Sequence, residues 1–99
     1  MRLVGLIGGM SWESTAEYYR IVNDEIAARL GALSSARLLL SSVDFGPIAA
    51  AMKAGDWGSV REALVGEALR LRMAGVEALA LATNTMHRFA ADLEAECGL

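Results

Sequence analysis

Apolar positions along the chain fall into short continuous runs separated by amphipathic stretches. Leu3 to Ile7 is apolar throughout and ends at Gly8-Gly9, which predicts a strand buried on both faces. Ser14-Thr15-Ala16-Glu17 has the spacing of a capping box. After it, Tyr19, Val22, Ile26 and Leu30 share one helical face, while Arg20, Asp24, Glu25 and Arg29 fall elsewhere, and Gly31 supplies a stop. Ala36 to Val43 predicts a second buried strand, broken by Asp44-Phe45-Gly46-Pro47, with a short helix over Ile48 to Ala54. Ser59 and Glu62 repeat the capping-box spacing, and Val60, Leu64, Ala68 and Leu71 line a helix that stops near Gly75. Val76 to Ala82 predicts a third strand. A last amphipathic helix with Phe89, Ala90 and Leu93 follows Thr83-Asn84-Thr85-Met86-His87.

Strands alternating with helices of this length imply βαβ units, right-handed crossovers and a parallel sheet. The expected class is therefore α/β: a three-layer parallel sheet built from βα repeats. Residues 1–99 form one domain in this reading, and the chain ends where a fourth strand is expected.

Composition adjusts the picture. Hydrophobic residues make up 55% of the 99, which suits elements covered on both faces or a chain whose packing partner lies elsewhere. A net charge of −3 gives no basic footprint, so nucleic acid is not an expected partner. No apolar run reaches the roughly 18 residues of a membrane span, and MRLVGLIGGMSWES reads as strand and loop, not as a signal peptide. Cys97 is the one cysteine, which excludes an internal disulfide and a multi-cysteine metal site within these residues. One thiol and five methionines fit a reducing cytoplasm.

In an open parallel sheet, ligands bind beyond the carboxyl ends of the strands. Three segments qualify: Gly8-Gly9-Met10-Ser11-Trp12, Asp44-Phe45-Gly46 and Thr83-Asn84-Thr85. The first lacks both the G-x-G-x-x-G spacing of dinucleotide sites and the Gly-Lys-Ser/Thr of a P-loop. It serves either as an anion cradle at a helix start or as a tight turn that needs small residues. Thr83, Asn84 and Thr85 put two hydroxyls and an amide at a helix start, where they either cap it or bind a carboxylate. His87 fits a hydrogen-bonded structural role or an acid/base role. Asp44 suits a turn residue bonded to its own backbone. Trp12 and Trp57 read as packing residues, and Cys97 as a small buried apolar group.

Taken together, GGMSWEST (residues 8–15), Ser42-Val43-Asp44-Phe45, Gly55-Asp56-Trp57 and Thr83-Asn84-Thr85-Met86-His87 resemble the signature segments of the aspartate/glutamate racemase family, and within it the broad-specificity amino-acid racemase branch. The resemblance runs from Arg2 to Cys97. It implies two similar α/β domains facing each other across a cleft, of which this chain resembles the N-terminal half and lacks the second. It also implies an amino-acid racemase or epimerase that uses neither pyridoxal phosphate nor metal. Two acid/base groups, usually cysteines, flank the α-carbon, since inversion removes a proton on one face and returns one on the other. The first of them corresponds to Thr83 here, a hydroxyl where the family usually has a thiol. Asn84 and Thr85 match the family's substrate-carboxylate segment, and Met10 and Ser11 its first cleft loop. No arginine follows the second strand, which argues against strict aspartate specificity.

The resemblance thus implies a small amino-acid substrate and no cofactor; composition fits a cytoplasmic setting, and a sheet that stops after its third strand is expected to associate with itself or with a complementary C-terminal half. The alternative is a non-catalytic carboxylate-binding or assembly module derived from that family.

Overall fold

A computed structural model describes residues 2–82 of the chain. Three strands, β1 (Val4–Gly8), β2 (Leu38–Ser42) and β3 (Ala78–Leu81), alternate with helices α1 (Trp12–Leu30), α2 (Phe45–Lys53) and α3 (Trp57–Met73). The sheet is parallel with order β2-β1-β3, so the chain crosses over itself after β2. Val4, Leu6 and Gly8 stand opposite Leu38, Leu40 and Ser42, while Val4 and Leu6 stand opposite Ala78 and Ala80.

Strand alternation assigns the layers. A Cβ on Gly5 would meet Leu71 of α3, whereas one on Gly8 would meet Thr15 of α1, so α1 and α3 lie on opposite faces of the sheet. On the α3 face, the predicted row Val60, Leu64, Ala68 and Leu71 is buried against Ile7, with Met10, Ile48 and Val76 completing the core. Burial of this row at helical spacing is what seats α3.

Packing is weaker on the α1 face. The expected apolar row of α1 does not bury: Tyr19 is 51%, Val22 39% and Leu30 59% exposed, and Thr15 is the helix's one buried residue. No other described element covers that side of α1. The helix holds its solvated side with short-range ion pairs instead. Arg20 reaches both Glu17 at 2.5 Å and Asp24 at 2.8 Å, and Arg29 reaches Glu25 at 3.1 Å. All are exposed pairs of small worth. β2 also departs from expectation, with Leu40 46% exposed. Among the described residues it has a neighbour on one side only, whereas β1, between β2 and β3, is buried from Gly5 to Gly8.

Both helix starts move relative to the predicted capping boxes. α1 begins at Trp12 with Ser11 as N-cap. Glu17, expected to turn back to Ser14, hydrogen-bonds the Arg20 guanidinium, which holds its carboxyl below the usual range. α3 begins earlier than expected, because Asp56 takes the cap and accepts from the Ser59 amide at 3.2 Å and hydroxyl at 2.6 Å. α2 starts at Phe45, before Pro47, since a proline in the first turn has no intrahelical N–H bond to lose. Asp44 caps it, accepting from the Gly46 amide at 3.1 Å as a turn aspartate would. The stops at Gly31 and Gly75 fall where expected.

The Asp56 cap carries a pH signature. The Ser59 hydroxyl, and then its amide, hold the Asp56 carboxyl below the usual aspartate range. A depressed folded-state pKa adds stability above the unfolded value, roughly 4, and that stability is lost as pH falls through the folded value. Thermal melts of Asp56→Ala are therefore expected to show a lower midpoint than the parent at pH 7 and a narrower gap near pH 3. A gap independent of pH would place the effect elsewhere than in the charged cap.

Candidate functional site

Parallel pairing brings the carboxyl ends of the strands to one edge. Gly8 accepts from the Val43 amide at 2.8 Å, and Ile7 accepts from the Ala82 amide at 2.9 Å. The end of β1 thus lies between the exits of β2 and β3. At this edge the G-G-M-S loop turns the chain from the buried centre of the sheet into α1.

The turn depends on its glycines. Gly9 has φ +91, and a Cβ there would sit 2.5 Å from the Val43 carbonyl oxygen and 2.7 Å from its nitrogen. The loop backbone therefore lies directly against the β2 exit, with no room for a side chain. Met10 is 6% exposed and belongs to the hydrophobic core, so what it offers the edge is backbone. Ser11 is exposed and N-caps α1 without a side-chain cap bond; its hydroxyl donates to Ser14 Oγ at 3.1 Å. The first turn of α1 is consequently uncapped by any side chain, which leaves its partial positive charge facing the edge.

Sequence reasoning passed over Thr15, whose readable signal is a threonine four residues after the cap serine. It is the one buried polar residue among those described. Its hydroxyl accepts from the Gly9 amide at 3.0 Å and donates to the Ser11 carbonyl at 3.2 Å. Ser11's carbonyl also accepts the Thr15 amide at 2.9 Å.

Two hollows border this edge. One, about 420 Å³, runs between α1 and β2 and is walled by Trp12, Ala16, Tyr19, Leu38 and Leu40. Trp12, expected to pack, is 69% exposed and forms part of that wall, while Trp57 packs against the core. The other, about 440 Å³, lies on the α3 face beside Asp44, Glu67 and Arg70. Two of its charges engage each other: Glu67 pairs with Arg70 and also accepts from the Ser41 hydroxyl. Among the described residues there is no group of three or more metal-ligating side chains, and no helix long and apolar enough to cross a membrane.

Of the expected site residues, Met10 and Ser11 sit together at this edge. Thr83, Asn84 and Thr85 lie outside the described residues, as do His87 and Cys97; Thr83 follows Ala82, whose amide is bonded to β1.

Residues 7–99 match the family model described as Asp/Glu/Hydantoin racemase. The chain superposes on the crystal structure of a candidate Asp/Glu racemase from Yersinia pestis with TM-score 0.96 and 49% identity, over 100% of this chain and 43% of that one. It superposes on an aspartate racemase homologue from Pyrococcus horikoshii OT3 with TM-score 0.84 and 29% identity, again over 100% of this chain and 43% of the other. The chain therefore spans less than half the length of the structures it matches.

Proposed function

This chain belongs to the Asp/Glu/Hydantoin racemase family, and on that premise we propose that it supplies one half of a cofactor-independent, two-base site for inverting the α-carbon of an amino acid. Thr83 is the acid/base or proton-relay group on its side of the substrate. Asn84, Thr85 and the backbone of Met10 and Ser11 receive the substrate carboxylate. The second acid/base group, facing the other side of the α-carbon, comes from a complementary C-terminal half.

The observation that carries this reading is the meeting of two segments at one sheet edge. The uncapped start of α1 and the exit of β3 at Ala82 both lie against the end of β1. A carboxylate held there by amides and hydroxyls is stabilised most as negative charge develops on the substrate during proton removal. Two facing groups are required because one face loses the proton while the other receives it. A threonine hydroxyl ionises far above neutral pH, so Thr83 depends on activation by its neighbours or passes a proton onward.

The exposed row of Trp12, Tyr19 and Leu40 supports association with a second copy or with the complementary half. The chain's single thiol and its five methionines support a cytoplasmic setting.

Deuterium exchange at the α-carbon of L- and D-amino acids in heavy water tests the proposal, with the chain alone and with a related C-terminal half added. Exchange is expected only in the mixture, and Thr83→Ala is expected to abolish it. Absence of exchange in both, with carboxylate binding retained, would make the chain a binding module and end the catalytic reading.

A further inference from the structure

We propose that Thr15 is a positioning residue for the carboxylate-binding loop: its single hydroxyl fixes the backbone on both sides of Met10 and so sets where that loop meets the substrate. This rests on the reading of the edge as the substrate site.

Thr15 is 5% exposed, and its hydroxyl is engaged on both sides. It accepts from the Gly9 amide at 3.0 Å and donates to the Ser11 carbonyl at 3.2 Å, closing a ring that spans residues 9–15. The floor beneath it is Gly8, where any Cβ would fall 2.7 Å from both Cγ2 and Oγ1 of Thr15. Glycine at position 8 therefore leaves the space that Thr15 fills, and the two hydrogen bonds turn its hydroxyl to the loop.

Two consequences follow for a ligand. The Gly9 amide is committed to Thr15 and is not a substrate donor. Ser11, held through its carbonyl, keeps its own hydroxyl on Ser14 and makes no cap bond to α1. Donors from the first turn of α1 are thereby kept for the incoming carboxylate, instead of being consumed by the serine that begins the helix.

The test separates hydroxyl from shape. Thr15→Val keeps the branched side chain and removes the donor and acceptor; Thr15→Ser keeps the hydroxyl and removes the methyl. For the full chain, amide exchange at Gly9 and binding of L- and D-glutamate, followed by amide chemical shifts, are read on all three proteins. In Thr15→Val, Gly9 exchange is expected to speed up and glutamate binding to weaken, each roughly tenfold or more. Thr15→Ser is expected to restore both. Unchanged Gly9 exchange and glutamate affinity in Thr15→Val would overturn the assignment, as would equal losses in Thr15→Ser. Failure of the parent chain to bind glutamate would overturn the carboxylate reading itself, a result distinct from binding that survives the loss of the hydroxyl.

Discussion

Leu64→Ala is expected to destabilise the domain by about 3–4 kcal/mol. Leu64 is fully buried at the middle of the α3 row that packs on Ile7. Truncation removes the transfer energy of the lost carbons and leaves a cavity whose walls belong to regular elements that collapse poorly. Total stability of a domain this size is on the order of 5–15 kcal/mol, so the variant gives up a large share of it. Urea unfolding should show the midpoint falling with little change in slope, because the surface exposed on unfolding is nearly the same. Leu33→Ala is the internal control. Leu33 is 101% exposed, and its truncation is expected to stay within about 0.5 kcal/mol. A loss below about 1 kcal/mol for Leu64→Ala would mean that α3 is not seated on the sheet as described.

Gly9→Ala is expected to cost about 3 kcal/mol and, on the proposed reading of the edge, to remove carboxylate binding as well. Two penalties combine at this position. A residue with a Cβ at φ +91 pays the left-handed backbone cost, about 1–2 kcal/mol. The added carbon then lies 2.5 Å from the Val43 carbonyl oxygen, an atom fixed in the chain and unable to swing aside. Relief requires the loop to lift away from the β2 exit, which breaks the bond from the Val43 amide to Gly8 and displaces Ser11. Gly55→Ala separates the two penalties. Gly55 has φ +72, and a Cβ added there would meet nothing within 4 Å, so only the backbone cost applies. Equal costs at both positions would mean that the close approach to Val43 is absent in solution.

Much of this molecule was legible along the chain. The row of Val60, Leu64, Ala68 and Leu71 announced both α3 and its buried face, because a helix that covers a sheet centre must repeat its apolar positions every three or four residues. Gly8-Gly9 after an apolar run marked the turn, and Gly31 and Gly75 marked helix ends. The segments at residues 8–15 and 83–87 pointed to the family. Helix starts were less legible. Ser14 with Glu17 and Ser59 with Glu62 both had capping-box spacing, yet Ser11 stands at the N-cap position of α1 without a side-chain bond, and Asp56 caps α3. Several polar residues near a helix start compete for the same few amides, and spacing does not rank them.

Sequence by itself therefore determined the alternation of strands and helices, the α3 core and the edge at which the carboxyl ends of the strands meet. It did so because periodicity and glycine placement are local requirements of the backbone. Tertiary structure alone decided that, among the described strands, β1 is central and β2 outer, that Trp12 and Tyr19 of α1 stay exposed beside Leu40, and that Thr15 ties Gly9 to Ser11. Those facts depend on which elements meet across the sheet, and residues far apart in the chain carry no local pattern that records their meeting.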